Sequence, residues 1–580
     1  MTQYLETLRE PADLRRLDSE KLEAVAKEVR DELIDIGTEV GGHFAGSLGT
    51  VELAVGIHYV FDTPSDRVVW DVGHQAYAHK LLTGRRKGLR RVKKPDGPSG
   101  FLRRSESAFD VFGAGHAGTS VSAALGIAEA QRRAKSKAQS LAVIGDGAAT
   151  AGMSFEALNH AGDLGARVKV VFNDNGMSIA PSVGGLNRTG RAREYFEALG
   201  LTYKGPVDGH DLKELLPALT ELRNAEGPTV LHVRTRKGQG YEAAEKDPYG
   251  WHATSPFDKT SGVRKASAAK PTWTACFASA LQRVAHLDER VVAITAAMPD
   301  GTGLDRFAEN YPSRFYDVGI AEQHGVTFAA GLATEGLRPV CAIYSTFLQR
   351  AFDQIVHDVA LQNLPVTFVL DRAGFVGADG PTHHGTLDLT YLRGIPNMTV
   401  AAPRDENELQ HLLAAAVDSD GPWAIRIPRG EAPGTRLDPD PRPSRVGHGV
   451  TLRSGRDVAL LGLGKTVPVL MEAALRLKEV QIDAEVIDAR FVKPLDVLRI
   501  AEAAKRCRRV VTAEDHVAKG GFGSAVLELL AVEVPDARVR VLGHADRFVE
   551  HGDVAEQWRS AGIDAVSIAE TTARWIEEEK

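Results

Sequence analysis

The 580-residue sequence predicts an α/β protein made of three doubly wound domains with mainly parallel sheets. Three observations carry that expectation. Short, continuous apolar runs rich in β-branched residues alternate with helical patterns, as strands covered on both faces require. Two stretches dense in Pro, Gly and charge, 255–273 and 429–449, read as linkers. Several apolar runs stop abruptly at glycine-flanked acids or amides, the residues expected at the ligand-binding edge of an open parallel sheet.

Taken in order, residues 1–33 form a charged amphipathic helix pattern with no apolar leader, and a soluble chain complete at its start is expected. The first block, 1–260, contains the runs LAVIGD, VKVVFND and VLHVRT. The second, 270–430, contains VVAIT, VTFVLD and AIRIP, and the third, 447–580, contains DVALLGLG, AEVIDAR, RVVTAED and VRVLGH. No short-period repeat or low-complexity segment interrupts them.

Hydrophobic content of 43% and charged content of 25% are ordinary for a globular protein. The net charge of −7 comes without a basic stripe, which argues against nucleic acid or an anionic membrane as partner. Nothing approaches 18 uninterrupted apolar residues. Cys276, Cys341 and Cys507 match no metal or disulfide spacing, so a reduced, cytoplasmic setting is expected.

The chemistry concentrates in Leu141–Ile179. Gly145-Asp146-Gly147 ends one run and Asn173-Asp174-Asn175 ends the next, with a helix and a turn between them. A carboxylate, an amide oxygen and backbone carbonyls form a hard-oxygen set suited to Mg²⁺, an ion that shares its sites with phosphates. The glycines permit close backbone approach, and the helix opening near Ala148–Ser154 offers N–H groups to an anion. We therefore expect Mg²⁺ on a diphosphate, with Asp146 and Asn175 as side-chain ligands. Turn residues after strands are the commoner use of either motif alone; their pairing across one strand–helix–strand unit favours the functional reading.

This spacing resembles that of thiamine diphosphate enzymes, and the wider chain resembles the 1-deoxy-D-xylulose-5-phosphate synthase family within the transketolase-like group. The likeness rests on GGHFAGSLGTVEL, WDVGHQAYAHKLLTGRR, GAGHAGTS, YKGPVDGHD, KGQGYEAAEKDP, DVGIAEQHGVTFAAGLA, the run from IYSTFLQR to DGPTHHG, IPRGEAPG and DARFVKPLD. It implies a homodimer with a diphosphate-binding domain (1–260), a pyrimidine-binding domain (270–430) and a C-terminal transketolase-like domain (447–580). It further implies thiamine diphosphate and Mg²⁺ as cofactors, and decarboxylative condensation of pyruvate with D-glyceraldehyde 3-phosphate. A transketolase proper and a catalytically dead homologue are the rival readings.

Site roles follow from the same resemblance. Glu322 is the acid that serves the cofactor's aminopyrimidine, although an acidic residue in a helix's first turn is also favoured by the dipole. Phe347 is the aromatic that stacks on that ring. Gly115, His116, Ala117, Gly147, Ala148, Asn175, Met177 and Tyr241 match cofactor-contacting positions, Met177 also near the metal, and Ile179 or Met177 wedges the bent cofactor. His43, His74 and His252 manage protons at the substrate oxygens, His74 also lying near the diphosphate. Asp379 and His383 belong with the acceptor's hydroxyl groups. Arg372 and Arg429 suit its phosphate, with Tyr344 and Arg350 beside them, and Lys246 is a further candidate. Two departures stand out: GHAGTS replaces the family's commoner GHSSTS, and the segment after Asn187 is shortened to what reads as a flexible bridge, GGLNRTG.

Overall fold

A computed structural model describes residues 4–264 and 270–578; the middle of the first predicted linker, 265–269, lies outside them. The chain forms two compact units, Met1–Ser267 with Gly319–Ala321, and Ala268–Val318 with Glu322–Lys580.

In the first unit the amphipathic pattern becomes a helix over Leu22–Val40, which buries Leu22, Val25, Val29, Leu33 and Ile36 at three- and four-residue spacing. The start of that pattern instead makes only a short turn of helix at Pro11–Leu14. Five parallel strands follow in the order Arg67–Trp70, Ser140–Gly145, Val168–Asp174, Thr229–Arg234, Thr202–Asp208. Leu141–Ile144 and Val168–Asn173 are wholly buried, as strands between two helical layers must be. The register pairs Gly145 with Asn173, so Asp146 and Asn175 leave the same carboxyl edge. A two-residue antiparallel pair, Gly42–His43 with Ala253–Thr254, ties the two ends of this unit together.

The second unit holds two sheets. Seven strands run in the order Phe491–Lys493, Thr399–Ala401, Trp423–Pro428, Thr367–Ala373, Arg338–Tyr344, Val291–Thr295, Phe315–Asp317, all parallel except the first. Five more run Val450–Arg453, Ala484–Asp488, Val458–Gly462, Arg509–Val517, Arg538–His544, again with one antiparallel edge. Each of the ten runs read as strands overlaps one of these elements. The mainly parallel α/β expectation is therefore met. One apolar core runs from Ile294 to Val534, and Phe491–Lys493 adds an edge to the preceding sheet. Residues 432–447 of the second predicted linker contain neither helix nor strand. Gly185–Thr189 forms a helical turn closed by Gly190 in the left-handed region at φ 65°.

Candidate active site

The carboxyl edge of the first sheet sorts its polar residues sharply. Asn173 is consumed: its amide donates to Gln75 Oε1 at 3.0 Å and its oxygen accepts from Thr235 at 2.5 Å. Asp174 accepts from or pairs with His232 at 2.9 Å. Asp146 and Asn175 remain. Asp146 is 1% exposed, its Oδ2 has no hydrogen-bond partner, and its Oδ1 lies 3.5 Å from the Asn175 amide nitrogen. Asn175 Oδ1 accepts from the Met177 amide at 3.0 Å, which fixes its direction and leaves a second lone pair. Burial pushes the Asp146 carboxyl up to about 6, and the nearby charge of Asp174 adds to the rise.

A buried, unsatisfied carboxylate beside an oriented amide oxygen fits a hard cation, because the ion would supply the missing charge. Among the described residues no group of three or more His, Cys, Asp or Glu side chains is placed to hold a metal. The oxygen set therefore leans on one carboxylate, one amide and backbone, as Mg²⁺ with phosphate oxygens would use. A Cβ on Gly147 would sit 2.6 Å from Ser178 Cβ, so only glycine allows this loop its approach. The following chain forms a single helical turn, Asp146–Ala149, before the long helix Gly152–Leu164.

Lys237 was not singled out from sequence, although it opens KGQGY three residues past a strand end. It is 4% exposed and donates to the carbonyls of Ser178 at 2.7 Å and Ile179 at 3.2 Å. Burial lowers its ammonium to about 8, with Asp146 opposing the shift. Asp71, also missed, is 1% exposed and accepts from the amides of Gly118 at 2.8 Å and Ser120 at 2.9 Å. It thereby fixes the turn that carries Gly115, His116 and Ala117.

The short pairing of His43 with Ala253 brings three predicted histidines together. Ring centroids lie 6.4 Å apart for His43 and His74, 5.9 Å for His43 and His252, and 5.2 Å for His74 and His252. His74 and His252 are half-buried, each with its Nδ1 shut from solvent and without a hydrogen-bond partner. Burial, then the charge of Lys237, holds both below the usual histidine range, so both rings are neutral at pH 7. Phe101 walls the group, 4.9 Å from the His43 ring. Tyr241 joins an aromatic cluster with Phe44, Trp251 and Phe257, its hydroxyl donating to the Lys259 carbonyl at 3.2 Å. Lys246 makes an exposed helical ion pair with Glu242 at 2.6 Å.

In the second unit Glu322 opens the helix Glu322–Thr334. It is 4% exposed and its Oε2 has no hydrogen-bond partner; Arg350 Nη1 stands 3.9 Å away. Burial raises its pKa, and Arg350 only partly opposes that. Phe347 stacks on Tyr344 with centroids 5.6 Å apart and ring planes 7° from parallel, while His383 meets Phe347 edge-on at 5.4 Å. Arg372 lies over the other participant in that stack, 4.0 Å from the Tyr344 ring centre. Its Nη1 donates to the Gly301 carbonyl at 2.6 Å and pairs with Asp371 at 3.1 Å. Arg429 Nη1 donates to the Val376 carbonyl at 2.7 Å and to Asp379 at 3.0 Å. Both guanidiniums are thus anchored by one edge, which leaves donors of a five-donor fork for an anion.

The first part of the chain, residues 5–193 and 189–235, matches the family model described as 1-deoxy-D-xylulose-5-phosphate synthase. Residues 269–435 match the transketolase pyrimidine-binding domain and 447–568 the transketolase C-terminal domain. The two pieces of the first match meet at the shortened segment. Three relatives carry the name 1-deoxy-D-xylulose-5-phosphate synthase. One from Geobacter sulfurreducens is 49% identical over 625 residues, covering 99% of this chain and 98% of its own. That from Thiobacillus denitrificans is 50% identical, covering 97% of each chain. That from Thermomicrobium roseum is 49% identical, covering 99% of this chain and 98% of its own.

Proposed function

The chain belongs to the 1-deoxy-D-xylulose-5-phosphate synthase family of thiamine diphosphate enzymes, and on that premise we propose how its side chains divide the reaction. The reaction condenses pyruvate with D-glyceraldehyde 3-phosphate, with loss of CO₂, to 1-deoxy-D-xylulose 5-phosphate, the first step of the methylerythritol phosphate route to isoprenoids. Thiamine diphosphate, when bound, supplies the nucleophilic carbon and the electron sink.

Asp146 and Asn175, with the Met177 backbone, hold Mg²⁺ against the diphosphate. Gly147, Ala148 and the Gly115–Ala117 turn contribute backbone, and the Lys237 ammonium balances the remaining charge. Glu322, whose pKa burial raises, exchanges a proton with the aminopyrimidine ring nitrogen. Phe347 stacks on that ring. His43, His74 and His252, two of them neutral donor-acceptor rings, pass protons at the carbonyl oxygens of donor and acceptor. Arg372 and Arg429 hold the acceptor's phosphate, with Tyr344 and Arg350 beside it, while Asp379 and His383 meet its hydroxyl groups. The active assembly is a homodimer.

The observation that carries this reading is the buried carboxyl of Glu322, whose Oε2 has no hydrogen-bond partner, in the same unit as the stacked Phe347 and Tyr344. Incubation with pyruvate, D-glyceraldehyde 3-phosphate, thiamine diphosphate and Mg²⁺ should release CO₂ and yield the deoxyketose phosphate, identified by mass. Absence of CO₂ from pyruvate, with or without the acceptor, would sink the assignment.

A further inference from the structure

The loop that carries Asp379 is fixed by the C-terminal part of its unit. Residues 374–380, GFVGADG, contain three glycines with positive φ: 77° at Gly374, 77° at Gly377 and 71° at Gly380. Glycine has more backbone freedom to lose than any other residue, so something must hold such a stretch. Gln557, 5% exposed, on the helix Val554–Ala561, holds both sides of one residue. Its Oε1 accepts from the Gly377 amide at 3.2 Å and its Nε2 donates to the Gly377 carbonyl at 3.2 Å. The same Nε2 donates to the Glu550 carbonyl at 2.8 Å, which fixes the amide's orientation. Upstream, Asp515 Oδ1 accepts from the Phe375 amide at 3.1 Å, and the fully buried Phe375 ring packs with Trp558 and Ile563. A Cβ on Gly380 would come within 3.0 Å of the His551 backbone nitrogen, so this end is seated closely too.

The restraint reaches the site in two steps. Gly377 adjoins Val376, whose carbonyl accepts from Arg429 Nη1 at 2.7 Å, and the same Nη1 donates to Asp379 at 3.0 Å. The Gly377 carbonyl also accepts from the Gly552 amide at 3.3 Å and the Val376 amide donates to His384 Nδ1 at 3.1 Å, so losing the Gln557 grip would loosen, rather than release, the carbonyl that aims Arg429 and the carboxylate that shares it.

We propose that Gln557 is a positioning residue for the acceptor: by clamping Gly377 it presets Arg429 and Asp379 for a phosphorylated hydroxyaldehyde. This rests on the reading that Arg429 and Asp379 meet the acceptor. Gln557→Met preserves length and removes the three side-chain hydrogen bonds of Gln557. It should raise KM for D-glyceraldehyde 3-phosphate about tenfold, the equivalent of one to two hydrogen bonds, while kcat and KM for pyruvate stay within about twofold. Arg429→Lys is measured alongside. An unchanged acceptor KM in Arg429→Lys would overturn the reading of that arginine. A raised acceptor KM there, with wild-type acceptor KM in Gln557→Met, would overturn the clamp alone. Equal losses toward both substrates in Gln557→Met would also overturn it, since a general packing defect does not discriminate. Hydrogen exchange on the unaltered holoenzyme decides the matter without a variant. Amides 375–380 should be as protected as strand Thr367–Ala373 before acceptor is added; fast exchange there until acceptor binds would refute presetting.

Discussion

Replacing Glu322 by Gln exchanges a proton-carrying carboxyl for an amide of the same size, in a setting where burial outweighs the nearby charge. The residue is 4% exposed, and Arg350 Nη1 stands 3.9 Å from its Oε2. At that separation and an effective dielectric near 20, the attraction is about 4 kcal/mol. Taking a carboxylate out of water costs several kcal/mol, and part of a second penalty falls on Arg350. Burial is the larger effect, and the pKa lies above the ordinary 4.5. The folded state therefore binds this proton more tightly than the unfolded chain does. The stability it confers is full below pH 4.5 and is lost as pH rises through the raised folded value. Glu322→Gln has no such proton. The cofactor-free variant should thus gain on wild type as pH rises from 5, by at most about 1.4 kcal/mol per pH unit while the carboxyl titrates. Unfolding in urea, followed across pH 5–8, measures the difference. In the same variant CO₂ release should fall by roughly 10²–10⁴, the usual scale of a lost acid–base group, because an amide cannot exchange the proton. Parallel stability curves across that range, or turnover within tenfold of wild type, would refute the reasoning.

Other residues give separate tests. Asp146→Asn removes the only carboxylate of the proposed metal set, and Mg²⁺-dependent cofactor affinity, measured by calorimetry, should drop about 100-fold, as losing a charge-assisted contact does. In wild type the same affinity should fall by up to about tenfold per unit below pH 6, because the proton held by burial at about 6 competes with the metal. Chelation of Mg²⁺ should abolish activity and its return should restore it. Lys237, lowered to about 8, should make cofactor affinity decline above pH 8 in wild type, whereas Lys237→Arg should show no such decline. For the folded protein alone the sign reverses. A depressed lysine leaves stability rising with pH between about 8 and the ordinary 10.5, and Lys237→Met should flatten that rise in unfolding curves.

Much of this architecture is legible in sequence because buried parallel strands write themselves as uninterrupted apolar runs. Each of the ten runs read as strands overlaps a strand. Three of the strands that escaped notice lack that signature for identifiable reasons. Thr202–Asp208 is an edge strand with no buried residue, Arg67–Trp70 is only four residues long, and Arg338–Tyr344 carries Pro339 within it. The site residues were reachable where a strand end leaves an acid or amide at a glycine, as at Asp146 and Asn175. Sequence named Asn175 among Asn173-Asp174-Asn175 without showing what engages the other two. Gln75, Thr235 and His232 settle that by occupying the other two, and those partners lie 58 to 98 residues away.

The same distance rule explains the misses. Lys237, Asp71 and Gln557 are ordinary residue types whose meaning comes entirely from what the fold places against them. A lysine becomes notable only when buried on two carbonyls, and a glutamine only when its amide matches the two backbone groups of one glycine. Local pattern registers propensity and burial period, but a reciprocal hydrogen bond between residues 180 positions apart leaves no local trace. Gly377 is the visible half of that pair: a glycine-rich stretch next to catalytic candidates signals a backbone that must be held. The glycines of DRAGFVGADG are visible in sequence, but only the packing of the helix Val554–Ala561 against them identifies Gln557.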